Sequence, residues 1–413
     1  MLLQDIYYMT LNMSTEELYL KIDKCIVEYI NSINTKNSDI ALPLKSILIG
    51  LYSKYYDDIN SQDLVIVLKN RGKLFKGSSS FYGIGLLMLI LNLYEYKIDK
   101  KSFRYLNSYF ACFLESYIEN YQYQGTVKEL GLINGLSGVG LCILSYCKKE
   151  DFFKKAINKI LDIIINKYSS SNYSDWFLKY EEMTEYEKYY FPDGCVNLGM
   201  AHGLSGVITF LTQAYINGFE SVELKRTIMR ITDFILSEQL CDNQKPLFPA
   251  RISRSDVGNN KEVNNQYPLS WCHGLSGICN SVLLAGSSLG NEEYIRRAIQ
   301  IYKKYLIYSD LNNQFLSMTV CHGYAGTLPS LKKFYNYTGD KFFLEYMNVI
   351  LEKISSYYEM HKMFFDYKYD KSEDLIKENL DHVSLLTSSE SVFITLISLL
   401  HDDSHYFKLL GVF

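Results

Sequence analysis

Cys272-His273-Gly274 and Cys321-His322-Gly323 put two thiols and an imidazole just ahead of segments that read as helix starts. A helix start favours a thiolate, because the macrodipole and the free N–H groups lower a cysteine's pKa. If the two segments are neighbours in space, Cys272, Cys321 and His322 form a natural shell for Zn2+, which prefers four tetrahedral ligands. Three protein ligands leave a fourth position for water or substrate, the catalytic form of such a site. Adding His273 would instead close a Cys2His2 structural site. Residues adjacent in sequence at a helix start point in different directions, so three ligands is the preferred reading and four its alternative. A plainer reading makes Cys272 and Cys321 small buried residues, as cysteine often is. Repetition of Cys-His-Gly in register argues against it.

The ligand types narrow the chemistry. Two thiolates cancel the charge of Zn2+ and make it a weaker Lewis acid than a histidine-rich site, but a third thiolate bound there stays electron-rich. Such a centre suits activation of a substrate thiol. A zinc deaminase would need Pro-Cys-x-x-Cys and His-x-Glu signatures, and neither is present. His202 precedes Gly203 as His273 precedes Gly274, so it should face the same centre as a general acid or base. His361, His382, His401 and His405 lie outside these phrases and are given no role.

The elements that would position these residues are repeats. Asn134-Gly-Leu-Ser-Gly138, His202-Gly-Leu-Ser-Gly206, His273-Gly-Leu-Ser-Gly277 and His322-Gly-Tyr-Ala-Gly326 restate one phrase, and Ser80-Phe-Tyr-Gly83 and a degenerate Ser388-Ser-Glu-Ser391 extend it to six copies 49 to 71 residues apart. Behind the glycines, Gly85 to Leu93 and Val139 to Leu144 are apolar nearly all round, as in helices buried on every side. Asp151 to Lys167 and Tyr294 to Leu306 alternate with them as amphipathic helices. Self-similarity at this period predicts stacked helical hairpins in an open solenoid or a closed toroid. Glycine would relieve crowding where the buried helices begin near one centre. The stretch 237–269, with Pro246, Pro249 and Pro268, lacks helical periodicity and is expected to be irregular or partly stranded near the mouth of the site.

Composition removes other classes. A net charge of −4 and a pI near 6.0 leave no basic footprint for nucleic acid. Met1-Leu-Leu-Gln-Asp-Ile does not read as a secretory signal, and the apolar run Ile84 to Leu93 is half of the roughly 20 residues a membrane span needs. A cytoplasmic protein with no transmembrane segment is expected. Nine cysteines without small-domain spacing read as reduced thiols, and the 37 tyrosines as general composition.

Tyr190-Phe-Pro-Asp-Gly-Cys-Val-Asn-Leu-Gly-Met-Ala-His-Gly-Leu-Ser-Gly206, Ser270-Trp-Cys-His-Gly274 and Cys321-His-Gly323 resemble the lanthionine synthetase C-like cyclases, the LanC family, from about residue 80 to 400. The resemblance implies an all-α fold, an α/α toroid of seven inner and seven outer helices around one zinc ion, with the seventh hairpin sought in the first 75 residues. It implies a single domain over 1–413, with the family's SH2-like extension inside 237–269. It assigns zinc to Cys272, Cys321 and His322, makes His202 the proton donor, and leaves His273 an acid-base role. The implied reaction adds a precursor-peptide cysteine thiolate to dehydroalanine or dehydrobutyrine, giving a lanthionine or methyllanthionine thioether. Implied partners are the dehydrated precursor peptide, a separate dehydratase and an exporter, in a complex that would bring the protein to the membrane periphery. One departure stands out: the aspartate expected four residues before Gly135 is Gly131, and Glu129 is the nearest carboxylate. The alternative function is a non-catalytic LanC-like module that binds thiols such as glutathione or scaffolds a modification complex. An α/α-toroid glycosidase would call for paired carboxylates where this chain has Cys and His.

Overall fold

Apolar residues on every side of a helix force neighbours onto every side, and this requirement organises the chain. The computed structural model describes residues 14–35, 42–56, 63–75, 79–81, 83–124, 129–147, 151–170, 173–178, 180–183, 185–242, 244–256, 268–310, 317–364, 367–369, 375–377 and 385–413. In chain order its main helices are α1 (Thr15–Thr35), α2 (Leu42–Tyr55), α3 (Asp63–Lys69), α4 (Ile84–Leu93), α5 (Lys100–Glu119), α6 (Leu136–Tyr146) and α7 (Asp151–Tyr168). There follow α8 (Leu204–Ile216), α9 (Val222–Ser237), α10 (Leu275–Leu289), α11 (Glu292–Tyr308), α12 (Leu328–Thr338), α13 (Lys341–His361) and α14 (Ser389–Leu400).

The even-numbered helices form the inner ring. Each packs on the next, from α2 through α4, α6, α8, α10 and α12 to α14, and α14 returns to pack on α2. The ring is therefore a closed toroid rather than an open solenoid. Leu204 to Ala214 of α8 are buried without interruption, and each leucine or isoleucine so placed contributes roughly 1.5–3 kcal/mol over an exposed position. The odd-numbered helices are the outer layer and bury one stripe each; in α9 this is Leu224, Thr227, Ile228, Ile231, Phe234 and Ile235. Polar caps start several outer helices: Ser221 accepts from Leu224 N, Asn291 from Glu293 N and Tyr294 N, and Asp340 from Phe342 N.

The seventh inner helix is α2, inside the first 75 residues but without a Gly-x-x-Gly start. Its own glycine, Gly50, lies mid-helix under the ring of Tyr94, where a Cβ would come within 2.6 Å, and Tyr94 Oη donates to Ser46 O at 2.9 Å. The degenerate copy opens α14 with a serine cap, Ser388 Oγ accepting from Ser391 N. In the Ser80 to Gly83 copy, Tyr82 lies outside the described residues, as do His382 and, within 237–269, residues 243 and 257–267.

Among the described residues, three two-stranded antiparallel sheets decorate the ring. β1 (Cys195–Asn197) pairs with β4 (Arg251–Ser253), β2 (Leu240–Asp242) with β3 (Lys245–Leu247), and β5 (Tyr367–Tyr369) with β6 (Leu375–Lys377). The tail fills the middle of the ring: a short helix at Ser404–Leu409 packs on α4, α6 and α14, Leu410 O accepts from Trp271 Nε1 at 2.8 Å, and Gly411 O accepts from Asn280 Nδ2 at 2.9 Å.

Candidate metal centre

The inner helices α6, α8 and α10 each begin behind an extended glycine, Gly135, Gly203 or Gly274, and none has a side-chain cap; loop carbonyls take early N–H groups instead, Gly131 O from Gly138 N, Leu198 O from Ser205 N and Pro268 O from Leu275 N. Three residues further on comes the second glycine of each phrase, whose reason is steric. A Cβ on Gly138, Gly206, Gly277 or Gly326 would lie 1.8 to 2.3 Å from the carbonyl oxygen of Leu132, Met200, Trp271 or Val320, and the last three would also meet the Cβ of Leu132, Met200 or Trp271 in the preceding repeat. Each loop thus folds back on its own helix and presses on the next repeat.

Backbone hydrogen bonds fix the register between repeats. Ile133 N donates to Ala201 O, Ala201 N to Cys272 O, Cys272 N to Cys321 O, and Cys321 N to Leu386 O, at 2.8 to 3.2 Å. All five residues stand five positions before the last residue of their phrase, so Cys272 and Cys321 are equivalent positions in adjoining repeats. His202, His273 and His322 follow one position later.

This register gathers Cys272, Cys321 and His322 into one cluster whose donor atoms all lie within 4.8 Å of one another; Cys272 Sγ is 3.9 Å from His322 Nδ1. Tetrahedral Zn2+ bonds of about 2.0–2.3 Å place donors about 3.3–3.8 Å apart, so two thiolates and one imidazole need close in by only about an ångström. Donor set and spacing both fit zinc. Burial opposes ionisation of Cys272, but the Cys321 thiol, His273 and His322 outweigh it and hold the Cys272 thiol well below its ordinary value.

His273 is not in that cluster. Its ring stands beside that of His202, centroids 6.4 Å apart and planes at 36°, and Gly199 makes the space: a Cβ there would come within 2.3 Å of Cys272 O and 2.8 Å of His273 Nδ1. Burial, and then the neighbouring His273, push His202 down to about 4; burial also lowers His273. At about 4, the His202 imidazole is neutral at pH 7. Residue 131 stands where residue 199 stands in the next repeat, and a Cβ on Gly131 would lie 2.9 Å from His202 Cα. A side chain there would require the His202 backbone to move. Glu129, the nearest carboxylate, accepts from Tyr121 Oη at 2.6 Å and from Gln124 N at 3.1 Å.

Spacing alone missed three residues near the histidines. Arg251 Nε bonds Glu187 Oε1 at 3.0 Å, Glu187 is 3% exposed, and both act electrostatically on His202 and His273. Asn197, paired across the sheet with Arg251, accepts from Gly199 N at 2.8 Å. The asparagine sits in the stretch Tyr190 to Gly206 that carries the family resemblance and so was findable; the ion pair depends on β1 meeting β4.

A family model described as lanthionine synthetase C-like protein matches residues 44–387. The nisin biosynthesis protein NisC of Lactococcus lactis subsp. lactis is 27% identical over 299 residues, covering 70% of this chain and 68% of that protein. Among solved structures, a nisin cyclase superposes with a TM-score of 0.74 at 20% identity, over 95% of this chain and 96% of its own. An unsaturated glucuronyl hydrolase from Streptococcus agalactiae superposes with a TM-score of 0.50 at 12% identity, over 89% and 94%. At such identities the structural likenesses speak for the fold alone. The family model spans most of the chain, including the first five copies of the phrase and the Cys272, Cys321 and His322 cluster: the chain belongs to the lanthionine synthetase C-like family.

Proposed function

We propose that the protein is a zinc-dependent lanthipeptide cyclase that closes lanthionine and methyllanthionine rings in a dehydrated precursor peptide. The observation that carries this reading is the cluster of Cys272, Cys321 and His322, with donors within 4.8 Å at the centre of a closed ring. Bound there, Zn2+ would lower the pKa of a substrate cysteine thiol and keep its sulfur electron-rich.

The reaction adds S–H across a carbon–carbon double bond, as a Michael-type addition. Sulfur bonds to the β-carbon, the α-carbon gains a proton, and nothing is oxidised or reduced. The proton lost by sulfur equals the one gained by carbon, so one base that becomes the acid suffices. His202, neutral at pH 7 and beside the cluster, is assigned that cycle. His273 keeps its ring next to His202 and takes an acid-base or orienting role. This arrangement does not require the carboxylate that Gly131 lacks. We assign the chain one toroid domain, with the described part of 237–269 flanking the mouth and Arg251 of β4 its cation nearest the histidines. No helix among the described residues is long and apolar enough to cross a membrane. We place the protein in the cytoplasm, working with a separate dehydratase and an exporter at the membrane periphery.

Incubation with dehydrated precursor tests this. Free precursor thiols should disappear without change in peptide mass; an unchanged thiol count with a confirmed precursor overturns it. The tight packing at Gly131 favours one second reading, a thiol-binding or scaffolding module without catalysis. Cys321→Ala separates the two: it abolishes cyclisation under the first and leaves complex assembly intact under the second.

A further inference from the structure

Beside His202 lies a cavity of about 30 Å³ walled by His202, Asn197, Trp176, Tyr123 and the apolar Leu130 and Val207. It has room for a water molecule or two and none for a peptide. Three polar atoms of its wall residues, Asn197 Nδ2, Trp176 Nε1 and Tyr123 Oη, are buried and have no hydrogen-bond partner among the described residues. The asparagine's orientation is fixed, since Oδ1 accepts from Gly199 N at 2.8 Å and a flipped amide would set two donors face to face. Asn197 is 4% and Trp176 2% exposed. A buried polar atom left unmatched costs about 1–3 kcal/mol, and three around one small space, two donors and a phenol oxygen that can accept, is a concentration that packing alone does not explain.

We propose that this cavity is a binding site for one structural water that positions His202. The water accepts from Asn197 Nδ2 and Trp176 Nε1 and donates to Tyr123 Oη and to the unprotonated ring nitrogen of the neutral His202. Four bonds satisfy a tetrahedral water and all three orphaned atoms. The consequence is chemical: occupying one imidazole nitrogen fixes the tautomer, so the other nitrogen carries the proton toward the substrate side. Asn197 and Trp176 are thus positioning residues that act through His202. The inference rests on the assignment of His202 above, but its direct readouts involve no cyclisation.

The test uses the zinc-loaded protein with Trp176→Phe, which keeps the ring, and Asn197→Asp, which keeps the acceptor for Gly199 N. A high-resolution crystal structure of the wild type should show a water about 2.7–3.2 Å from both donors. Ring 15N shifts of His202 should report a single dominant tautomer in the wild type and a mixture in each variant. Zinc content stays at the wild-type value, while kcat falls about tenfold or more with KM little changed, the usual effect of losing a partner behind a reacting group. An ordered cavity without water, a substrate carbonyl there instead, or His202 ring signals unchanged in both variants would overturn the proposal. Loss of kcat without a tautomer change would leave these residues structural and equally overturn it.

Discussion

Gly277→Ala is the sharpest probe of why the phrase repeats. The new Cβ would lie 2.2 Å from Trp271 O and 2.7 Å from Met200 Cβ, whereas ordinary Cβ contacts begin near 3.4 Å. Some part of the chain must therefore yield by about 1.2 Å. The nearest atom belongs to the backbone, and that backbone continues directly into Cys272. Trp271 is fully buried, with its indole N–H held by Leu410 O, so it has nowhere to swing. Overpacking of this kind costs about 1–3 kcal/mol, and more where backbone is the obstacle; alanine's better helix propensity returns at most about 1 kcal/mol. We expect the thermal midpoint of Gly277→Ala to fall by several degrees and its zinc affinity to fall at least tenfold, because the clash displaces Trp271 and Cys272 together. Ser391→Gly is the control. The same position in the degenerate copy already accommodates a side chain, and the change should cost about 1 kcal/mol or less of stability and leave zinc affinity alone. Differential scanning calorimetry and competition with a chromogenic chelator measure both quantities. A Gly277→Ala protein as stable and as tight for zinc as the wild type would refute the close-approach argument.

Other outcomes follow from the same geometry. His202 is lowered to about 4 from an ordinary 6.5, so the unfolded chain binds a proton that the folded chain refuses; stability should fall as pH drops from about 6.5 to 4, by up to about 3 kcal/mol. His202→Asn should flatten that slope in thermal midpoints taken against pH, and an unchanged slope would contradict it. Asp403, buried between α2 and the tail, bonds Lys54 Nζ at 2.8 Å, Tyr55 Oη at 2.7 Å and His405 Nδ1 at 2.9 Å. Burial opposes its charge, but His405, Lys54 and Tyr55 prevail and hold the carboxyl below the usual range. Asp403→Asn should therefore cost about 1–3 kcal/mol at pH 7, with the difference from wild type shrinking as pH falls below about 4; a constant difference would contradict it. Glu129→Gln should cyclise precursor within twofold of the wild-type rate, and a loss of a hundredfold would return that carboxylate to the chemistry.

The inner ring was legible because its demands are local. Gly138, Gly206, Gly277 and Gly326 are each pressed by a carbonyl six residues earlier in the same loop, so the requirement repeats in the sequence as a phrase. α2 escaped the phrase because no Gly-x-x-Gly precedes it in the sequence; only Gly50 records its close neighbour, and one mid-helix glycine carries no period. Cys272, Cys321 and His322 were legible through the same register, which the backbone bonds between repeats make physical. Arg251 and Glu187 were not. They reach the histidines through the pairing of β1 with β4, more than fifty residues apart, and nothing local marks either residue. The space at Gly131 likewise belongs to the backbone of His202, seventy-one residues on.

Metal content is the most direct test of the central claim. Protein purified without chelators and analysed by inductively coupled plasma mass spectrometry should hold one zinc per chain. Cys272→Ala, Cys321→Ala and His322→Ala should each lose it while keeping the wild-type circular dichroism spectrum, and His202→Asn and His273→Phe should retain it. A wild-type chain without stoichiometric zinc, or full zinc occupancy in the two cysteine variants, would contradict the account.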